Sequence, residues 1–258
     1  MSPDFPSRSF HKQTASRRVN GEEDGMIIPH NKSNVDFESL SRPIKSVIDD
    51  LAPAHVYPAT IQLYRQGSHA EEVYFINRGL LKLVRMEREG HELIIDLRPR
   101  GWLLGTAAVI TRQQHPVTAI TLSESIVQRI PAGVFNSLLR TNTQFSTHVH
   151  QMQSHEAIDH VTHMALMSCL PAQDRLADLL WELAHALELP TSSGEVLLRL
   201  PLKHWELAQL IGVTPEYLSR LLKKMQRDGI VRQKKGFMII QDVQKLWHSS
   251  ADKALSLT

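Results

Sequence analysis

The side chains best suited to chemistry lie in one stretch, residues 202–227, which reads LKHWELAQLIGVTPEYLSRLLKKMQR. The planar donor fork of Arg220 matches the O6 and N7 acceptors of guanine. Glu216 lies one helical turn earlier on the same face, at i, i+4. It can accept a hydrogen bond from cytosine N4, or it can hold Arg220 in one rotamer. Ser219 can hydrogen-bond a base edge or touch a thymine methyl. Lys203, His204, Thr214, Tyr217, Lys223 and Lys224 surround these three and suit phosphate contacts, which position a protein without specifying sequence. Lys234 and Lys235, just before Gly236, add two more cations. Base readout by Glu216, Ser219 and Arg220 inside a ring of backbone contacts is the chemistry of double-stranded DNA recognition.

The spacing also builds the scaffold. Residues 203–211 form one helix, with Leu207, Leu210 and Ile211 inward. Gly212 permits the left-handed turn that follows, and Val213 fills the angle between helices. Thr214 caps a second helix, and Pro215 at its first position needs no amide partner. Leu218, Leu221, Leu222 and Met225 form its inward stripe. This is a helix-turn-helix, whose second helix enters the major groove. A β pair at 230–233 and 237–240, turning on Lys234-Lys235-Gly236, forms a wing. The plainer alternatives are an ordinary basic surface and a structural Glu216–Arg220 pair. The agreement of turn, cap, inward stripe and basic hairpin favours DNA recognition over both. Residues 199–240 carry nine Lys/Arg against three Asp/Glu, about +6, so the net charge of +2 leaves about −4 elsewhere.

Upstream, short apolar runs at 61–64, 73–76, 80–84, 93–97, 117–122 and 126–130 alternate with Gly67, Gly79, Gly90, Gly101 and Gly105. Such runs indicate an antiparallel barrel or roll. Residues 144–170 hold no glycine or proline until Pro171, which predicts one long helix. Phe145, Val149 and Met152 have helical spacing, as do Ile158, Val161 and Ala165, but the two trios share no unbroken heptad stripe. A thin seam needs a partner. Self-association is the simplest, and packing on the chain's own barrel is the alternative. Residues 172–189 form an amphipathic helix, 190–194 a loop and 196–200 a short strand. The expected class is therefore α+β: a disordered tail at 1–35, a β-roll at 36–142, a dimerisation helix at 143–170 and a winged helix-turn-helix at 171–258.

No run approaches the ~18 apolar residues of a membrane-spanning helix. Arg17-Arg18 has no apolar segment after it, and Met26 is an alternative start. The single cysteine, Cys169, excludes a disulfide framework and fits a reducing cytoplasm. A buried structural role is expected for it. No nucleophile–base set or phosphate loop points to an enzyme, and 101–105 lacks the G-x-x-x-x-G-K-[ST] pattern.

The chain resembles the CRP/FNR family of bacterial transcription regulators over roughly 61–240. The resemblance rests on the glycines from Gly67 to Gly105, the long helix, and Glu216-Tyr217-Leu218-Ser219-Arg220, which matches the E-x-x-S-R pattern of the FNR branch. It implies a homodimer on a two-fold operator with TTGAT-like half-sites, read by Glu216, Ser219 and Arg220, with RNA polymerase as a partner. Pro215 departs from the arginine usual in the cyclic-AMP branch. That branch also carries a glutamate after the glycine matching Gly105, and an Arg-Ser/Thr pair for the cyclic phosphate. Here Thr106 and His115-Pro116 stand at those places, which argues against a cyclic nucleotide. An effector pocket at Gly105, Thr106, Arg112, His115 and Thr118 is still expected, with Arg112 as a substitute cation. A four-cysteine iron–sulfur sensor is excluded by the lone Cys169, and no other cofactor or metal is identifiable. His148, His150, His155, His160 and His163 crowd the long helix and are read as solvated or interface positions.

Overall fold

The computed structural model describes residues 37–88, 90–187, 195–199, 201–234, 237–241 and 246. The tail at 1–35, the choice of start, the 190–194 loop, Lys235 and Gly236 lie outside the described residues. The chain opens with α1 (Phe37–Asp49), followed by β1 (Ala54–Tyr57), β2 (Gln62–Tyr64), β3 (Glu72–Arg78), β4 (Leu81–Met86), β5 (Glu92–Arg98) and β6 (Leu103–Leu104). Next come α2 (Thr106–Thr111), β7 (Thr118–Thr121), β8 (Ser125–Pro131), α3 (Ala132–Thr141) and α4 (Thr143–Cys169). The C-terminal part comprises α5 (Ala172–Ala186), β9 (Val196–Leu198), α6 (His204–Leu210), α7 (Pro215–Arg227), β10 (Val231–Lys234) and β11 (Phe237–Ile240).

Two four-stranded sheets, β1-β8-β3-β6 and β2-β7-β4-β5, make the roll, and β10-β11-β9 makes the wing. All pairings are antiparallel. Leu81 and Leu83 alternate inward on β4 to meet Ile76, Trp102 and Val127 between the sheets. The first four residues of β4 are all buried, including Lys82. Both faces of that strand are therefore covered.

Each strand expected from the apolar runs is present. Strands β1 and β6 and helices α1, α2 and α3 were not anticipated. Pro43 sits inside α1 and disguises it as a break. Helix α1 turns Ile44 and Ile48 onto Phe145, Val149 and Met152 of α4, together with Phe135 of α3. This corrects the dimer seam. Phe145 and Val149 are each 1% exposed and belong to the chain's own core. The second trio differs: Ile158 and Val161 are 58% and 62% exposed, as is neighbouring Met164 at 62%. Ala165 continues this exposed face one turn on.

Candidate nucleic-acid interface

Helix α7 is placed by its buried stripe of Leu218, Leu221, Leu222 and Met225. Thr214 caps it by accepting the Tyr217 N–H at 3.3 Å, and Pro215 opens its first turn. Gly212 has φ +64°, and a Cβ there would come within 2.6 Å of Met167 Cε. The turn between α6 and α7 therefore requires glycine on backbone grounds, while the flexible end of Met167 could move aside. With one face of α7 committed to the core, Glu216, Tyr217, Arg220, Lys223 and Lys224 are exposed together.

The polar contacts on this face are unequal. Glu216 is held below the usual carboxylate range by its own backbone N–H and the Thr214 hydroxyl, helped by the charges of Arg220 and His204. Arg220 lies over the Tyr217 ring, 5.2 Å from its centroid, rather than bridging to Glu216. The Ser219 hydroxyl donates to the Pro215 carbonyl at 3.0 Å and lies 3.4 Å from His204 Nε2. Lys224 donates to Gln173 at 2.6 Å, while Lys203 and Lys234 are exposed. The structure thus brings the three base-reading candidates, His204 and Tyr217 onto one surface.

Residues that hold this head on the barrel escaped the sequence reading. Lys82 of β4 pairs with Glu206 of α6 at 2.6 Å and with Glu92 of β5 at 2.9 Å. Gln209 donates to the Glu92 carbonyl and accepts from the Ile94 N–H, both at 3.0 Å, so its amide caps the edge of β5. Leu80 and Leu97 of the barrel join the core of the reading head. Arg175 of α5 donates to the carbonyls of Leu170 at 2.6 Å and Ile211 at 2.9 Å, tying α4 to the end of α6. No local signal marks these residues, because their partners lie up to 124 positions away.

Among the cavities lined by described residues, none gathers all five expected effector-pocket residues. Gly105 is the left-handed N-cap of α2, and its ideal Cβ would meet the Glu72 carbonyl and His115 ring at 3.1 Å. Thr106 is buried beside a crevice lined by Trp102 and Glu156. Arg112 is an exposed, left-handed C-cap, and lines an outer cleft of about 570 Å³ with Gln66 and Arg85. His115 also borders that cleft, but stacks on Tyr64 at 3.9 Å. Burial lowers its pKa. Thr118 accepts the Gln66 N–H at 2.9 Å.

A charge cluster lies where the barrel meets α4. Buried Arg98 pairs with Asp96 at 2.9 Å and with Glu156, and lies 4.0 Å over the Trp102 ring. His160 reaches Asp96 at 3.6 Å, and that carboxylate raises its pKa. His160 is therefore an ion-cluster member and not merely a solvated position. Cys169 is exposed, contrary to its expected burial. No described helix is long and apolar enough to cross a membrane.

Comparison with known proteins places both halves. A cyclic nucleotide-binding domain model matches residues 54–142, and a Crp-like helix-turn-helix domain model matches 174–249. The Anaerobic regulatory protein of Pasteurella multocida is 26% identical over 184 residues, covering 71% of this chain and 67% of the relative. The Fumarate and nitrate reduction regulatory protein of Yersinia pestis is 27% identical over 184 residues, covering 71% and 73%. Among solved structures, FixK2 from Bradyrhizobium japonicum aligns with a TM-score of 0.66 at 20% identity, over 78% of this chain and 98% of that one. A CRP/FNR-family regulator from Thermus thermophilus aligns at 0.62 and 21%, over 76% and 97%. With a cyclic nucleotide-binding fold ahead of a Crp-like reading head, and regulators as its relatives, the chain is a transcription regulator of the CRP/FNR family.

Proposed function

We propose that this regulator binds a two-fold symmetric operator as a homodimer, with TTGAT-like half-sites about one helical turn apart. Glu216, Ser219 and Arg220 read the bases. Lys203, His204, Thr214, Tyr217, Lys223, Lys224, Lys234 and Lys235 face the backbone. The observation that carries this reading is the face of exposed Glu216 and Arg220 with half-buried Ser219 between them, on a helix fixed by its buried stripe. Ile158, Val161 and Ala165 of α4 supply the seam between copies. The dimer works in the cytoplasm, recruits or blocks RNA polymerase, and is gated by a small effector other than a cyclic nucleotide.

The test is binding to a duplex with inverted TTGAT half-sites across a salt series. Arg220→Ala is expected to cost about 1–3 kcal/mol and to relax specificity at the guanine. Equal affinity of Arg220→Ala and the parent chain overturns the readout. Sedimentation at assay concentrations must show a dimer. A second reading, control by abundance without effector, is favoured by the barrel's internally paired cluster of Asp96, Arg98 and Glu156. Tight operator binding by the bare dimer, with no thermal shift from nucleotides, oxo-acids or haem, selects it.

A further inference from the structure

We infer that Tyr217 is the positioning residue for Arg220: its ring holds the guanidinium by the face and leaves the N–H fork unspent for guanine. This rests on the base reading proposed for Arg220. Two partners on α7 are in range to orient that arginine, a carboxylate one turn back and an aromatic ring three residues back. A carboxylate engages the same fork edge that guanine O6 and N7 require, so an ion pair must break before the base is read. A ring attracts the cation through its π face, perpendicular to the N–H donors, and stays in place while they bind. The structure selects the ring. Arg220 Cζ lies 5.2 Å from the Tyr217 centroid, within the ~6 Å reach of such contacts. The Glu216 carboxyl is held below the usual range first by its own backbone N–H and the Thr214 hydroxyl, with the Arg220 charge a lesser cause.

Thr214 also fixes the clamp, since the same hydroxyl oxygen accepts the Tyr217 N–H at 3.3 Å. The N-cap therefore holds the Tyr217 backbone in the first turn of α7. The Tyr217 ring is 41% exposed and belongs to none of the three cores, so packing does not account for it. The other role open to it is the phosphate contact through the phenol hydroxyl expected from the sequence. The two roles separate by chemistry: the clamp needs the ring, and the phosphate contact needs the hydroxyl.

The experiment measures affinity of the full chain for the inverted TTGAT duplex and for one with each half-site changed to TTAAT, at several salt concentrations. Tyr217→Phe is expected to keep the parent's discrimination between them. Tyr217→Leu is expected to narrow it by about two- to fivefold, the scale of an exposed cation–π contact, with the salt slope unchanged. In an Arg220→Ala background, Tyr217→Leu should change discrimination no further. The clamp is overturned if Phe and Leu variants weaken both duplexes equally with a shallower salt slope, which marks a phosphate contact. It is also overturned if Arg220→Ala removes discrimination while Tyr217→Leu retains it. If the parent and Arg220→Ala discriminate alike, the base assignment itself falls, and the clamp with it.

Discussion

On α7, Glu216, Tyr217 and Arg220 face solvent, and Arg220 rests on a ring that uses none of its donors. In the barrel, Arg98 is 2% exposed, and its guanidinium is committed to Asp96, Glu156 and the Trp102 face. Both sites use an arginine against an aromatic ring. One keeps its hydrogen-bonding edge open, and the other closes it. A partner can dock on the first without breaking anything, whereas at the second it must replace pairs already made in low dielectric. The contrast separates a surface built for recognition from one built to hold two elements together.

Removing Arg98 should have the largest effect. Arg98→Ala takes the buried guanidinium at 2.9 Å away from buried Asp96 and is expected to cost about 3–5 kcal/mol in urea unfolding. Arg220→Ala, on the exposed face, should stay within about 0.5 kcal/mol of the parent. Equal losses would erase the contrast. The contact between the regions comes next. Gln209→Ala uncaps the Ile94 N–H and Glu92 carbonyl on the β5 edge, at about 0.5–1.5 kcal/mol for part-buried bonds lost. Faster amide exchange at Ile94 would report it, and unchanged protection would show the cap is dispensable.

The smallest effect is in pH. The bond to Asp96 is the main cause raising the pKa of His160. A folded pKa above the ordinary 6.5 stabilises the fold fully below that value, and the gain fades as pH rises through the folded pKa. His115 runs the other way. Burial lowers its pKa, so the fold loses stability as pH falls below 6.5 towards the folded value. His160→Gln should flatten the alkaline side of a Tm–pH profile and leave the acid side alone. A flattened acid side would reverse the assignment.

The head was the more legible region. Thr214, Pro215, Gly212 and the 3.6-residue apolar stripe act within one helix-turn-helix, and α7 ends at Arg227, two residues before the left-handed Gly229. The barrel strands were legible as apolar runs, but the burial of Lys82 on the second face of β4 was not, because its partner Glu206 of α6 lies far along the chain. On α4, one helical pattern served two purposes. Phe145, Val149 and Met152 read like Ile158, Val161 and Ala165, yet α1 claims only the first trio. Composition and spacing carry no record of that choice.

The amino-acid order by itself determined the longer barrel strands, the long helix α4, the reading helix and the identity of its outward side chains, because caps, turns and periodicity are local forces. Tertiary structure decided which charges are spent. Arg98 meets Glu156 across 58 residues, and Lys82 meets Glu206 across 124. Whether a polar group is free to bind a partner depends on what the fold brings within hydrogen-bond reach, and period and propensity do not encode that distance.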